Sequence, residues 1–189
     1  MSTATAPALV TAEELLAMPE NGVDRWLIRG KVKEKPMTVR NRFHSRAMVN
    51  IAAAIELWRR TQPEPRGSVL CGEAGIILRR SPDTTVGVDV VYISADLAGR
   101  MSKGTTLVDG VPTLAVEILS PSDTHEETHE KVQEYLRAGV ALVWIVDPDD
   151  RTVRVYGQDS RPQLFNEDQE LSGDPHLPGF RAAVRQLFE

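Results

Sequence analysis

Two carboxylates stand where a strand normally carries an apolar side chain. Asp89 lies between Val88 and Val90, and Glu117 between Val116 and Ile118. A buried carboxylate is costly to desolvate unless it is paired or holds a cation. Hard oxygen donors of this kind suit Mg²⁺ or Mn²⁺, which take one or two carboxylates and complete their shell with water and substrate phosphate. The plainer alternative for each is a strand residue facing solvent, because alternation leaves one face polar. Glu73, just after Gly72 in another strand region, is either a third carboxylate of the same centre or an exposed strand residue. Lys131 shares a helical ridge with Tyr135 and Ala138 and points partly inward. Glu127, four residues earlier, offers it an ordinary exposed ion pair instead. His44 falls on the apolar face of Met48, Ile51 and Ile55, where a satisfied structural histidine is the usual outcome. His125 and His129, at i and i+4, lack the Glu and third ligand of a zinc-protease pattern and read as surface residues. Ser120 and Ser122 sit in no nucleophile elbow, and there is no glycine-rich phosphate loop.

Several elements must hold these residues. Thr11-Ala-Glu-Glu14 forms a capping box for a short helix ending before Pro19. Residues 26–35 alternate and read as a strand with Gly30 as a bulge or turn. The spacing of Met48, Ile51, Ile55 and Trp58 predicts a helix over residues 42–60, ended by Pro63 and Pro65. Strands are expected over residues 68–79, 86–94 and 112–119, with a polar loop over 97–110. A second helix, capped by Asp123 or Thr124, runs to Ala138 and stops at Gly139. The apolar run 141–146 reads as a buried central strand with a hairpin partner over 152–156. A short amphipathic helix is expected at residues 181–188. The whole is an α/β chain with a mixed sheet, expected to form a single domain over residues 1–189.

Composition sets bounds. With 41% hydrophobic and 26% charged residues, the chain of 189 has the makings of a globular core. The net charge of -5 argues against a protein that coats nucleic acid indiscriminately. Between Asp24 and Arg46, however, eight basic residues face two acidic ones, giving +6 there against −11 elsewhere. Such a segment either approaches phosphates or guards an exposed sheet edge. Cys71, a lone cysteine, cannot form an internal disulfide and reads as a small buried hydrophobe. The opening residues lack the basic start and apolar core of a secretory signal, so none is expected, and no apolar run approaches membrane-spanning length. A soluble, cytoplasmic protein is expected.

Val88-Asp89-Val90-Val91, Leu114-Ala-Val-Glu117-Ile-Leu-Ser-Pro-Ser122, Lys131 with Tyr135, Gly139-Val140, Trp144-Ile-Val-Asp147-Pro148 and Leu177-Pro-Gly-Phe180 follow one another along the chain. In this order they resemble a large bacterial restriction-endonuclease family, long of unknown function, within the PD-(D/E)XK nuclease superfamily. The resemblance runs from about Thr11 to the C-terminus, with its specific part between Pro112 and Pro148. It implies a restriction-endonuclease-like fold, a central mixed β-sheet flanked by α-helices with an αβββαβ core. It also implies that Asp89 and Glu117 are metal-binding acids, with Mg²⁺ or Mn²⁺ as cofactor and the backbone carbonyl of Ile118 as a further ligand. The superfamily lysine normally lies two residues after the second acid, where this chain has Leu119; the resemblance assigns its role to Lys131. The activity implied is hydrolysis of nucleic-acid phosphodiester bonds, DNA above all, by a homodimer. Arg29, Lys31, Lys33, Arg40, Arg42 and Arg46, with His44, are then candidate contacts to the nucleic-acid backbone. The first strand, basic here where relatives carry acids, supports a second reading: a catalytically impaired nuclease fold acting as a nucleic-acid or protein binding module, in a mobile-element accessory role.

Overall fold

The computed structural model describes residues 8–37, 41–102 and 104–189. Helix α1 (Ala12–Leu16) opens on the expected capping box: Thr11 accepts from the Glu14 amide, and Glu14 accepts from the Thr11 amide. The alternating basic segment is not one strand but two. β1 (Val23–Ile28) and β2 (Lys31–Pro36) pair antiparallel across a two-residue turn. Both turn residues, Arg29 and Gly30, have positive φ (52° and 73°), as a type I′ hairpin requires. The turn falls at the Gly30 expected as a bulge or turn, and there the chain reverses into a second strand instead of continuing as one.

α2 (Arg42–Thr61) starts at Asn41, whose side chain accepts from the His44 amide. His44, Ala47, Ile51 and Ile55 form its buried stripe, so the stripe carries the His44 imidazole inward with the aliphatic side chains. β3 (Ser68–Arg79) and β4 (Thr84–Ile93) pair antiparallel along most of their length. The loop that follows is more ordered than expected: it holds a short helix, α3 (Ala95–Arg100), and β5 (Val108–Asp109), parallel to β3. β6 (Leu114–Ile118) leads into α4 (His125–Ala138). That helix is bounded by a Thr124–Glu127 capping box and by left-handed Gly139, caps worth about 1 kcal/mol each. Next come β7 (Leu142–Asp147), β8 (Thr152–Gly157) and β9 (Gln163–Phe165). β10 (Glu170–Ser172) and β11 (Arg181–Ala183) make a separate small sheet, followed by a 3₁₀ turn over Val184–Leu187. The amphipathic helix expected at 181–188 is therefore replaced by a strand and that turn. Pairing with β10 satisfies backbone groups that a two-turn helix would leave open.

Among the described residues nine strands form one mixed sheet, in the order β2-β1-β4-β6-β7-β8-β9, with β3 and β5 joined to it through β4. β6 and β7 are parallel and bridged by α4; the other main pairs are antiparallel. Side chains of α2 and the C-terminal segment pack on one face with Val90, Val116 and Trp144. Val132 and Tyr135 of α4 pack on the other with Val91, Ala115 and Val143. Cys71 is exposed rather than buried; it immediately precedes an irregular stretch of β3. No helix among the described residues is long and apolar enough to cross a membrane.

Candidate active site

The sheet is forked at β4. β3 covers one edge of β4, while the other edge pairs with β1 at Thr85 and with β6 from Val90 to Tyr92. Asp89 lies in the gap between those two partners. On the β3 side the ladder also breaks: Cys71 pairs with Val90 and Ala74 with Val88, leaving Gly72 and Glu73 as a bulge opposite Asp89. Both bulge residues have positive φ, 86° and 59°. Bulges of this kind commonly re-aim side chains next to sites, and here the backbone on both sides leaves room for one carboxylate.

Asp89 is buried, and its Oδ2 accepts the Ile118 amide at 2.7 Å. That bond extends the β4–β6 ladder beyond its last main-chain pair. Glu117, one residue earlier, points to the α4 face. Its Oε2 lies 2.9 Å from Lys131 Nζ, and its Oε1 accepts from the Tyr135 hydroxyl. Lys131 and Tyr135 are four residues apart on α4 and so share the ridge facing β6. Glu127, the rival partner for Lys131, is instead occupied with Thr124 in the capping box. Asp89, Glu117, Ile118 and Lys131 all line one cleft of about 690 Å³, together with Glu73 and Trp26.

The electrostatics of the cleft are unbalanced. Burial raises Glu117 above the usual carboxyl range, and the charge of Asp89 adds to this, against opposing contributions from Lys131 and Tyr135. Burial lowers the Lys131 pKa, but the Glu117 carboxylate outweighs it and holds the ammonium above its ordinary value. Tyr135 is pushed well upward, by burial first and by Glu117 next, so its hydroxyl remains a donor.

The remaining candidates divide. Glu73 is exposed, and its Oε2 would lie 2.8 Å from a side chain added at Gly87, so its carboxylate lies over the stretch of β4 leading to Asp89. Among the described residues, however, no three His, Cys, Asp or Glu side chains converge as a metal cage. A hard cation here would rely on carboxylate, main-chain and water oxygens. His44 is buried, not a surface contact, with Nε2 at 3.3 Å from Asp89 Oδ1. That distance fits an ion pair, yet neither atom makes a hydrogen bond; the geometry, not the distance, rules one out. His125 and His129 are exposed.

The basic segment is less available to phosphates than its charge suggested. Arg29 binds Glu134 at 2.7 Å, Lys33 binds Glu130 at 2.9 Å, and Lys35 binds Asp123 at 3.0 Å, all on or just before α4. Arg42 lies over the Phe43 ring, Arg46 reaches the Glu189 carbonyl oxygen, and Lys31 is exposed. Arg40 lies outside the described residues. Spacing never singled out Tyr135 as a partner of Glu117; only the relation of α4 to β6 discloses it.

A mixed sheet between helical layers, forked around an aspartate with a glutamate and a lysine beside it, defines a restriction-endonuclease-like protein. A crystal structure of a putative nuclease belonging to DUF820, from Anabaena variabilis ATCC 29413, shares this fold with a TM-score of 0.77. The match covers 95% of this chain and 97% of that one at 22% identity. The chain belongs to the Uma2 family, described as putative restriction endonuclease, which it matches over residues 12–185. No curated protein sequence matches it significantly.

Proposed function

We propose that the chain is a metal-dependent endonuclease that hydrolyses nucleic-acid phosphodiester bonds, with DNA as substrate and Mg²⁺ or Mn²⁺ as cofactor. The observation that carries this reading is the meeting of Asp89, Glu117 and Lys131 in one cleft at the fork of the sheet. The donor set fits a divalent cation: Asp89 Oδ1 is buried without a hydrogen-bond partner, and burial disfavours the Glu117 charge that a cation would stabilise. Asp89, Glu117 and the Ile118 carbonyl would hold the ion. A bound divalent cation lowers the pKa of a coordinated water and neutralises charge on the scissile phosphate.

The protein groups around it have separable tasks. Lys131 keeps its proton, so it acts as a fixed positive charge that orients the attacking water and stabilises the developing oxyanion. The same feature makes it a poor proton acceptor. Tyr135 holds one oxygen of Glu117 and thereby fixes the carboxylate plane. Lys31, Arg42 and Arg46 are the basic candidates for backbone contact, and a single-domain homodimer completes the reading.

Nicking of supercoiled plasmid in Mg²⁺ or Mn²⁺ tests this, with wild type compared to identically purified Glu117→Ala and Lys131→Ala. Metal-dependent nicking lost in both variants is expected. Nicking that survives in both would locate the chemistry elsewhere. Absence of nicking by wild type, with DNA still retained in a binding assay, would favour the binding-module reading.

A further inference from the structure

We propose that His44 is a nitrogen ligand of the metal centre at Asp89, which makes that centre select a transition ion such as Mn²⁺ over Mg²⁺. This deepens the metal-dependent reading above and rests on it.

The His44 imidazole is buried in an unfavourable state. His44 is 1% exposed, and neither ring nitrogen has a hydrogen-bond partner. Burying an unpaired polar group is expensive, and most buried polar side chains avoid it. Nor is this an accident of a loop: His44 occupies the first turn of a 20-residue helix, on its buried stripe. Its Nε2 lies 3.3 Å from the one oxygen of Asp89 that the Ile118 amide does not use. That oxygen, Oδ1, is likewise buried and unpartnered. Two buried polar atoms without hydrogen-bond partners thus lie 3.3 Å apart.

The separation itself is informative. A neutral N–H···O bond would prefer about 2.9–3.0 Å with good alignment. Two ligands about 2.1 Å from one ion, at the angles of octahedral or tetrahedral coordination, lie roughly 3.0–3.4 Å apart. The observed pair falls in that interval. Nδ1 is unpartnered whether or not Nε2 binds an ion, so it does not separate the readings. Glu117 approaches Asp89 from the α4 face and His44 from the α2 face. The three do not converge on one point while Tyr135 and Lys131 hold Glu117. Water, main-chain oxygen and substrate phosphate remain for the other positions. An imidazole nitrogen in the set shifts preference toward transition ions, because Mg²⁺ favours oxygen alone.

Pulsed EPR of Mn²⁺ added to the metal-free full-length chain decides the point without any activity measurement. The expected spectrum shows coupling to a directly bound imidazole ¹⁴N, absent from His44→Ala. In calorimetry, His44→Ala should weaken Mn²⁺ at least about tenfold while moving Mg²⁺ less than roughly threefold. Asp89→Asn should remove both ions, and it serves as the second variant if His44→Ala fails to fold. Bound Mn²⁺ that is lost in Asp89→Asn but shows no nitrogen coupling in wild type would overturn the role of His44 and leave the metal-dependent reading intact. No Mn²⁺ binding by wild type would overturn both.

Discussion

Two carboxylates beside α4 are treated in opposite ways. Glu134 is almost wholly buried and meets three arginines: Arg29 at 2.7 Å, Arg137 at 2.9 Å and Arg79 at 3.5 Å. These tie the hairpin turn, the end of β3 and the helix to one point. Glu117 meets one lysine and one tyrosine, with a second acid, Asp89, acting on it. One acid with three cations is a saturated clamp; two acids sharing one cation are under-compensated. Structural ion clusters gain from saturation, since a buried charge left unpaired is penalised. A site that accepts a cation and a phosphate must leave that balance open. The same helix contributes to both clusters, Glu134 to one and Lys131 with Tyr135 to the other.

The largest effects should separate these clusters by rate. Lys131→Ala is expected to lower plasmid nicking per folded molecule by about a hundredfold or more, the scale for losing one oxyanion-stabilising group. A variant nicking within a few-fold of wild type would remove Lys131 from the mechanism.

Glu134→Ala should act on stability instead. Breaking a buried pair typically costs 3–5 kcal/mol, but its three arginines are 40–52% exposed and can rehydrate, so a loss of about 1–3 kcal/mol is expected. Denaturant unfolding measures it, and nicking per folded molecule should remain. An unchanged midpoint would mean that the clamp stabilises nothing.

The response to pH should carry opposite signs from the usual carboxylate case. Because burial lifts the folded-state pKa of Glu117 above the usual carboxyl value of about 4.5, folding binds a proton that the unfolded chain releases. Its contribution therefore falls as pH rises from about 4.5 through the raised folded value. In metal-free protein at neutral pH, Glu117→Gln should melt no lower than wild type. A clear drop in melting temperature would show that Glu117 is stabilising and already compensated.

The smallest effect belongs to the half-exposed Lys33–Glu130 pair. Lys33→Ala should change stability by less than about 1 kcal/mol, and the difference should vanish in high salt. A larger, salt-resistant loss would make the hairpin-to-α4 contact a second clamp.

Asp89 and Glu117 were legible because a carboxylate inside an apolar strand breaks a local rule. α2 and α4 were legible because their stripes and caps lie within a few residues. Lys131 needed the family resemblance, since spacing alone offered Glu127; only the capping box, which occupies Glu127, breaks the tie. Gly30 marked a bulge or turn, but the pairing of the two halves as a hairpin depends on the chain reversing there, which a bulge would not do. The fork at β4, the bulge opposite Asp89 and the approach of His44 depend on register between distant strands and a helix, which no local pattern encodes. The pairing of Arg29, Lys33 and Lys35 with α4 was invisible for the same reason.

The most direct test of the account is the nicking rate per folded molecule of Glu117→Gln beside that of Glu134→Gln, each change neutralising one buried acid at nearly constant shape. The account predicts no metal-dependent nicking by Glu117→Gln and a wild-type rate for Glu134→Gln despite its lower stability. Equal losses in both, or a wild-type rate for Glu117→Gln, would contradict it.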